Sequence, residues 1–209
     1  MSRDGCSAVR NGIPWGGSVI ATSSGGTVEI KTPNGRVKLR IEGELRGADL
    51  SGKELAGVTL ANQDLRGTRF SGARLVGVDF SEADLQGAHF DGANLTRAHF
   101  EYANLEGANL LGGDLYSASF FAANLEGANL ELASLRGADL KGANLRRANL
   151  RNTNLGRDNL GGSTQLNAAD LREAVLVGAN LEGAEYDTST HFPAGFRPES
   201  AGMRRTGGD

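Results

Sequence analysis

Chemistry needs nucleophiles, metal ligands or paired acids and bases in usable spacing, and this chain offers few. It has one cysteine, Cys6, and three histidines, His89, His99 and His191. A single cysteine excludes an intramolecular disulfide, and no apolar stretch precedes Cys6 to give it a lipid-anchor context. The histidines are scattered, whereas a zinc site needs a tight set of nitrogen and sulfur ligands, so no metal site is assigned. No glycine-rich phosphate loop or nucleophile elbow occurs, and most of the 25 acidic residues sit at outward positions that a regular repeat imposes. No catalytic or cofactor-binding residue is assigned, and no cofactor is expected. Five residues stand out for a different reason: Tyr102, Leu111, Tyr116, Phe121 and Leu132 are apolar where neighbouring units carry polar residues. Tyr102, Tyr116 and Phe121, with His99 between them, form the candidate partner-binding set, because rings framing a small polar strip have the composition of an interface hot spot.

What must position them is a period of five. A large apolar centre recurs from Leu45 to Leu160, for example Leu65, Phe70, Leu75, Phe80, Leu85 and Phe90, and a second run has centres Leu166, Leu171, Leu176, Leu181 and Tyr186. The six-residue step from Leu160 to Leu166 implies one residue inserted near Gly161, Gly162 or Ser163, and gives about 24 plus 5 units. Helices show apolar spacings of three and four and strands a spacing of two, so neither explains the pattern. Two residues before each centre is a small one, such as Ala73, Ala83 or Ala93, and Asn or Asp usually follows it. A unit this short cannot bury its own centre, so the array must stack.

Units such as Ala103-Asn104-Leu105 and Ala138-Asp139-Leu140, spread over roughly 70% of the chain, resemble the pentapeptide-repeat family. The resemblance implies an all-β, right-handed quadrilateral parallel β-helix of about seven coils, with four units to a coil and residues twenty apart stacked. Phe70 then lies above Phe90 in one column, and Phe80, Phe100 and Phe120 lie in the opposite one. His89 and His99 fall on opposite faces. Lys53, Gln63 and Asp158 occupy nominally inward slots. A buried unpaired carboxylate is costly, so the coil should distort at Asp158, with Arg157 or Arg147 as its partner.

Four segments follow. Residues 1–24 have no periodicity around Trp15 and read as loose. Residues 25–41 alternate apolar and polar about Thr32-Pro33-Asn34-Gly35 and read as a β-hairpin that caps the first coil. Residues 42–187 are the repeat. Residues 188–209 form a second cap around Phe192-Pro193-Ala194-Gly195-Phe196 and a frayed tail after Arg197; the Phe-Pro-x-Gly-Phe run resembles a closing segment of bacterial, notably cyanobacterial, members. No apolar run of about 18 residues exists for a membrane span and the start lacks a secretory core, so a cytoplasmic protein is expected.

The repeat region holds 21 acids and 13 bases, but its charge is uneven. Residues 42–131 carry 14 acids against 6 bases, whereas Arg136, Lys141, Arg146, Arg147, Arg151 and Arg157 make a basic belt. Some members of the resembling family act on DNA gyrase as DNA mimics. A basic belt opposes that role by electrostatic repulsion, and an unbroken register from Leu45 to Leu160 leaves no room for the long loops of those members. The expectation is a non-enzymatic scaffold, monomeric or weakly dimeric, for an unknown protein partner, without direct nucleic-acid or membrane binding. A gyrase-binding DNA mimic is the alternative.

Overall fold

The structure, a computed structural model, describes residues 21–22, 26–32 and 34–207. Cys6, Trp15 and most of the segment 1–24 lie outside the described residues. Within that segment Ala21–Thr22 is β1, which pairs antiparallel with β2, Thr27–Lys31, and β2 pairs with β3, Val37–Glu42. No α-helix occurs among the described residues.

From Leu45 onward each unit follows one hydrogen-bond plan. The small residue's N–H donates to the preceding centre's carbonyl, as Ala98 does to Leu95 (2.9 Å), and closes a turn. The residue before it then needs positive φ, and glycine commonly supplies it, as at Gly107 (φ 64°). The centre's N–H reaches the next coil, as Leu105 does to Asn124 O (2.7 Å), and the Asn124 N–H returns to Ala103 O (2.9 Å). Parallel bridges join residues twenty apart, from Asp49–Arg69 through to Ser134–Asn154, so four units complete a coil and the chain forms a β-helix.

Inside, the centres form four columns and the alanines fill the corners. Phe70, Phe80, Phe90, Phe100 and Phe120 are fully buried. Within columns the rings stack face to face, Phe80–Phe100 at 5.1 Å and Phe100–Phe120 at 4.7 Å, and across the axis they meet edge to face, Phe80–Phe90 at 5.7 Å. Both arrangements suit the ring quadrupole. Thr68 and Thr153 take small inward slots because each hydroxyl donates to a main-chain carbonyl, Leu45 O and Leu130 O, both at 2.7 Å. Lys53 is not inward: in the first coil it has no coil beneath to enclose it, and it is exposed. Gln63 is half-buried, and its amide donates to Ala61 O (3.1 Å). The hairpin lays Val28 and Ile30 on this end of the core.

The irregularity near Leu160 is larger than a one-residue insertion. Bridges step from Asp139 to Gln165 and from Asn154 to Asn180, twenty-six residues apart, so a whole unit and one more residue leave the coil. Leu160 is 85% exposed and is no core centre. The chain leaves at Gly156 and returns at Thr164, which is fully buried and donates to Leu135 O (2.9 Å) and Gly156 O (3.2 Å). Asp158 explains the departure. In the loop its carboxylate accepts from Leu160 N (2.8 Å), Gly162 N (2.6 Å) and Tyr116 Oη (3.3 Å). Neither arginine is its partner, since Arg147 is taken by Glu126 and Glu173.

The C-terminal tail is not frayed through Arg205. After Arg197 a 3-10 turn, Glu199–Ala201, leads to β5, Arg204–Arg205, which pairs parallel with β4, Glu185–Tyr186. Met203 is buried, Tyr186 meets Phe192 edge to face (5.5 Å), and Phe192 stacks on Phe196 (5.2 Å) against the last coil. Two changes test this packing. Phe100→Ala removes the middle ring of a ladder and should cost about 3–5 kcal/mol in a urea titration. Asp158→Ala should leave the thermal midpoint nearly unchanged but make 156–163 the first site of limited proteolysis.

Candidate functional site

Most outward polar residues are explained by the coil itself. Asn104, Asn124 and Asn144 form one ladder, each amide donating to the Asn below (3.0 and 2.9 Å), and Asn109, Asn129 and Asn149 form another (3.1 and 3.0 Å). Their side-chain oxygens also accept from the main-chain N–H two residues on, as Asn124 does from Glu126 (3.2 Å). These groups are satisfied within the coil.

Tyr102 and Phe121 are different. They lie at one corner, one coil apart, joined through the Tyr102 N–H to Phe121 O (3.0 Å). Their rings meet edge to face at 5.6 Å and 82°. Tyr102 is 61% and Phe121 39% exposed, and Tyr102 has φ 59° at a slot most units give to glycine. A left-handed conformation costs a side-chain-bearing residue about 1–2 kcal/mol. Arg147 and Glu82 share such slots, but Tyr102 and Leu132 place large, exposed apolar groups in them.

His99 lies outward on the adjoining face, with Nδ1 3.2 Å from Glu101 Oε1. The hydrogen bond to Glu101 raises the imidazole's pKa above its ordinary value, against a smaller opposing effect of burial. Burial pushes the Glu101 carboxyl up, but hydrogen bonds from His99 and Ser119 outweigh it and hold the group at about 2. Tyr116 does not join the set. Its hydroxyl is turned to Asp158, and the Arg136 guanidinium lies 5.8 Å from its ring centre, so it supports the extruded loop instead. Leu111 and Leu132 occupy another corner. Sequence reasoning missed Leu160, whose perfect register concealed it, and Val177, 64% exposed. The charged Asp158 two before Leu160, where a small residue belongs, signalled distortion of that unit but not its expulsion with Leu160.

The basic belt is one coil with a cation at each corner: Arg136, Lys141, Arg146 and Arg151. Arg146 and Arg147 pair with Glu173 (3.0 and 2.9 Å), so that corner is locally neutralised. Among the described residues no cluster of His, Cys, Asp and Glu could hold a metal ion.

Stacked five-residue units around a buried Leu and Phe core define a repeat solenoid. The pentapeptide repeats pattern matches eight copies over residues 44–81, 73–112, 118–157 and 164–185. The chain therefore belongs to the pentapeptide repeat family. It is similar to HetL, a pentapeptide repeat protein involved in heterocyst differentiation regulation in the cyanobacterium Nostoc sp. strain PCC 7120. The identity is 32%, over 77% of this chain and 78% of HetL, with a TM-score of 0.44. A second pentapeptide repeat protein from Nostoc PCC 7120 is 36% identical over 56% of this chain and 84% of its own, with a TM-score of 0.29. QnrB1, a plasmid-mediated fluoroquinolone resistance protein, is 18% identical over 78% and 84%, with a TM-score of 0.38. No curated protein matches the chain.

The His99–Glu101 pair has a defined pH window. A raised imidazole pKa contributes stability below about 6.5 that is lost as pH rises through the folded value, and a depressed carboxyl contributes above about 4.5 and is lost as pH falls. The contact should be strongest between those limits. In an NMR titration Glu101→Gln should move the His99 midpoint down toward about 6.5; an unchanged midpoint would show that the pair does not form.

Proposed function

We propose that this protein is a non-enzymatic scaffold that binds another protein through the Tyr102–Phe121 corner, with His99 and Glu101 beside it. The fold that carries it is a right-handed quadrilateral β-helix of about seven coils over 42–187, capped by the hairpin at one end and by 188–209 at the other. The handedness rests on the strong preference of parallel crossovers for right-handed connection. One observation carries the functional reading: Tyr102 is held in a left-handed conformation, largely exposed and packed only partly against Phe121. The core does not need that ring, and glycine would suit the slot better. Strain kept at an exposed aromatic is an investment in recognition. HetL's involvement in regulation supports a regulatory contact over a reaction. A cytoplasmic monomer or weak dimer, without nucleic-acid contact, completes the reading; no described helix is long and apolar enough to cross a membrane.

The alternative is a gyrase-binding DNA mimic. It is favoured by the acid excess of 42–131 and by the loop extruded between Gly156 and Thr164, a short projection from the coil. The ring of cations at Arg136, Lys141, Arg146 and Arg151 opposes it, because a mimic must enter a positively charged groove. A supercoiling assay separates the two: the scaffold predicts neither inhibition nor quinolone protection at micromolar protein. For the scaffold itself, Tyr102→Gly should raise stability by up to about 1 kcal/mol by relieving strain. The same change, combined with Phe121→Ser, should abolish recovery of the partner from the source cells. A loss of stability on Tyr102→Gly would show that the ring serves the fold.

A further inference from the structure

The C-terminal end of the coil carries a second surface, independent of the aromatic corner. One coil below the end, every edge group is used. The N–H groups of Leu150, Asn152 and Leu155 donate to Val175 O, Val177 O and Asn180 O (2.9, 3.0 and 2.8 Å). Ala148 O and Thr153 O accept from Val175 N and Asn180 N, both at 2.9 Å. On the last coil the chain covers two of the four sides itself, pairing Glu185–Tyr186 with Arg204–Arg205 and Asp170 with His191. The sides through Val175 and Asn180 have no such cover. Among the described residues, the N–H groups of Leu176, Gly178 and Leu181 and the carbonyls of Ala174 and Ala179 have no hydrogen-bond partner. They repeat the donor and acceptor spacing of the coil beneath, so 174–181 is an open edge of two sides joined by the turn at Val177–Gly178.

Its side chains do not guard it. Val175, Leu176 and Val177 are consecutive apolar residues; Val177 is largely exposed, and Leu176 and Ala179 are only partly buried against the core. No charge lies between Glu173 and Glu182. At the opposite end the first coil carries exposed Asp49, Lys53 and Glu54, and the hairpin covers its core. Charges and covers are how folded proteins prevent strand addition at an edge.

We propose that the 174–181 edge accepts a segment of a partner protein that pairs parallel with both sides and turns with the corner at Val177–Gly178. The occupant is an uncharged stretch of about eight residues whose carbonyls accept from Leu176, Gly178 and Leu181 N–H. Its own N–H groups donate to Ala174 O and Ala179 O, and one of its apolar side chains lies against Leu176. Main-chain pairing supplies affinity and that side chain supplies selectivity. A single chain suits the site because the cap on the two neighbouring sides stands one level higher, leaving the edge at the foot of a step. The hairpin-covered end of another molecule does not seat on a step.

The test is amide hydrogen exchange by NMR on the whole protein, with a synthetic peptide of residues 118–125, an uncharged two-unit stretch, as probe. In the free protein the Leu176, Gly178 and Leu181 amides should exchange about a hundredfold faster than those of Leu150, Asn152 and Leu155. Millimolar peptide should slow the three about tenfold or more. The double substitution Val175→Lys with Val177→Lys should remove that protection without moving the thermal midpoint. Three amides already as protected as the coil beneath would overturn the inference, as would exchange unaffected by peptide. Protection that grows with protein concentration alone would assign the edge to a second copy and overturn it equally.

Discussion

The structure depends on one constraint: a five-residue unit closes a turn but cannot bury the side chain at its centre. Burial requires a coil above and a coil below, and the same stacking pairs the main-chain groups, as Leu105 N–H with Asn124 O shows. Apolar burial and hydrogen bonding are therefore satisfied by one operation, a translation of twenty residues. Each unit's contribution is small and its neighbours' contributions are shared, as in other solenoids. That is why a residue that fits neither inward slot, such as Asp158, does not distort its unit slightly but expels it together with Leu160.

Where the repeat is kept, side chains are committed to the coil, and the asparagine ladders illustrate how completely. Departures carry the remaining information. Tyr102 and Leu132 replace glycine at left-handed slots, Leu160 is held outside the coil, and Val177 stands on the corner of Leu111 and Leu132, two coils beyond Leu132. These departures do not coincide. Tyr102 and Phe121 form one contact, Tyr116 belongs to the loop through Asp158, and Val177 borders the open end. Under the proposed scaffold role, departures this far apart would let the rod meet a partner at more than one point.

Surface charge adds little to stability here. The pairs Arg69–Asp49 and Arg74–Glu54 are largely solvated, and exposed ion pairs of that kind contribute about 0–1 kcal/mol each. Their organisation matters for encounter instead. The acidic coils below and the cationic coil at 136–151 make the rod electrically banded, and on the proposed scaffold role that banding would steer where along it a charged partner first makes contact.

The sequence by itself determined the period and the buried status of nearly every centre, because those follow from side-chain size recurring every five residues; four units to a coil, and with it the two phenylalanine columns, was legible only through the family resemblance. It also marked Tyr102 and Phe121, whose apolar character breaks that rule locally. Tertiary structure decided what depends on neighbours twenty or more residues away. Tyr116 looked equivalent to Tyr102 until the extruded loop brought Asp158 to its hydroxyl, and Leu160 kept register in a unit the coil could not accept. Lys53 turned outward because no coil lies beneath it, and the tail after Arg197 acquired order from β4, a strand edge that no local pattern reveals. Composition describes a side chain; whether it is enclosed, paired or presented is set by the coil on either side.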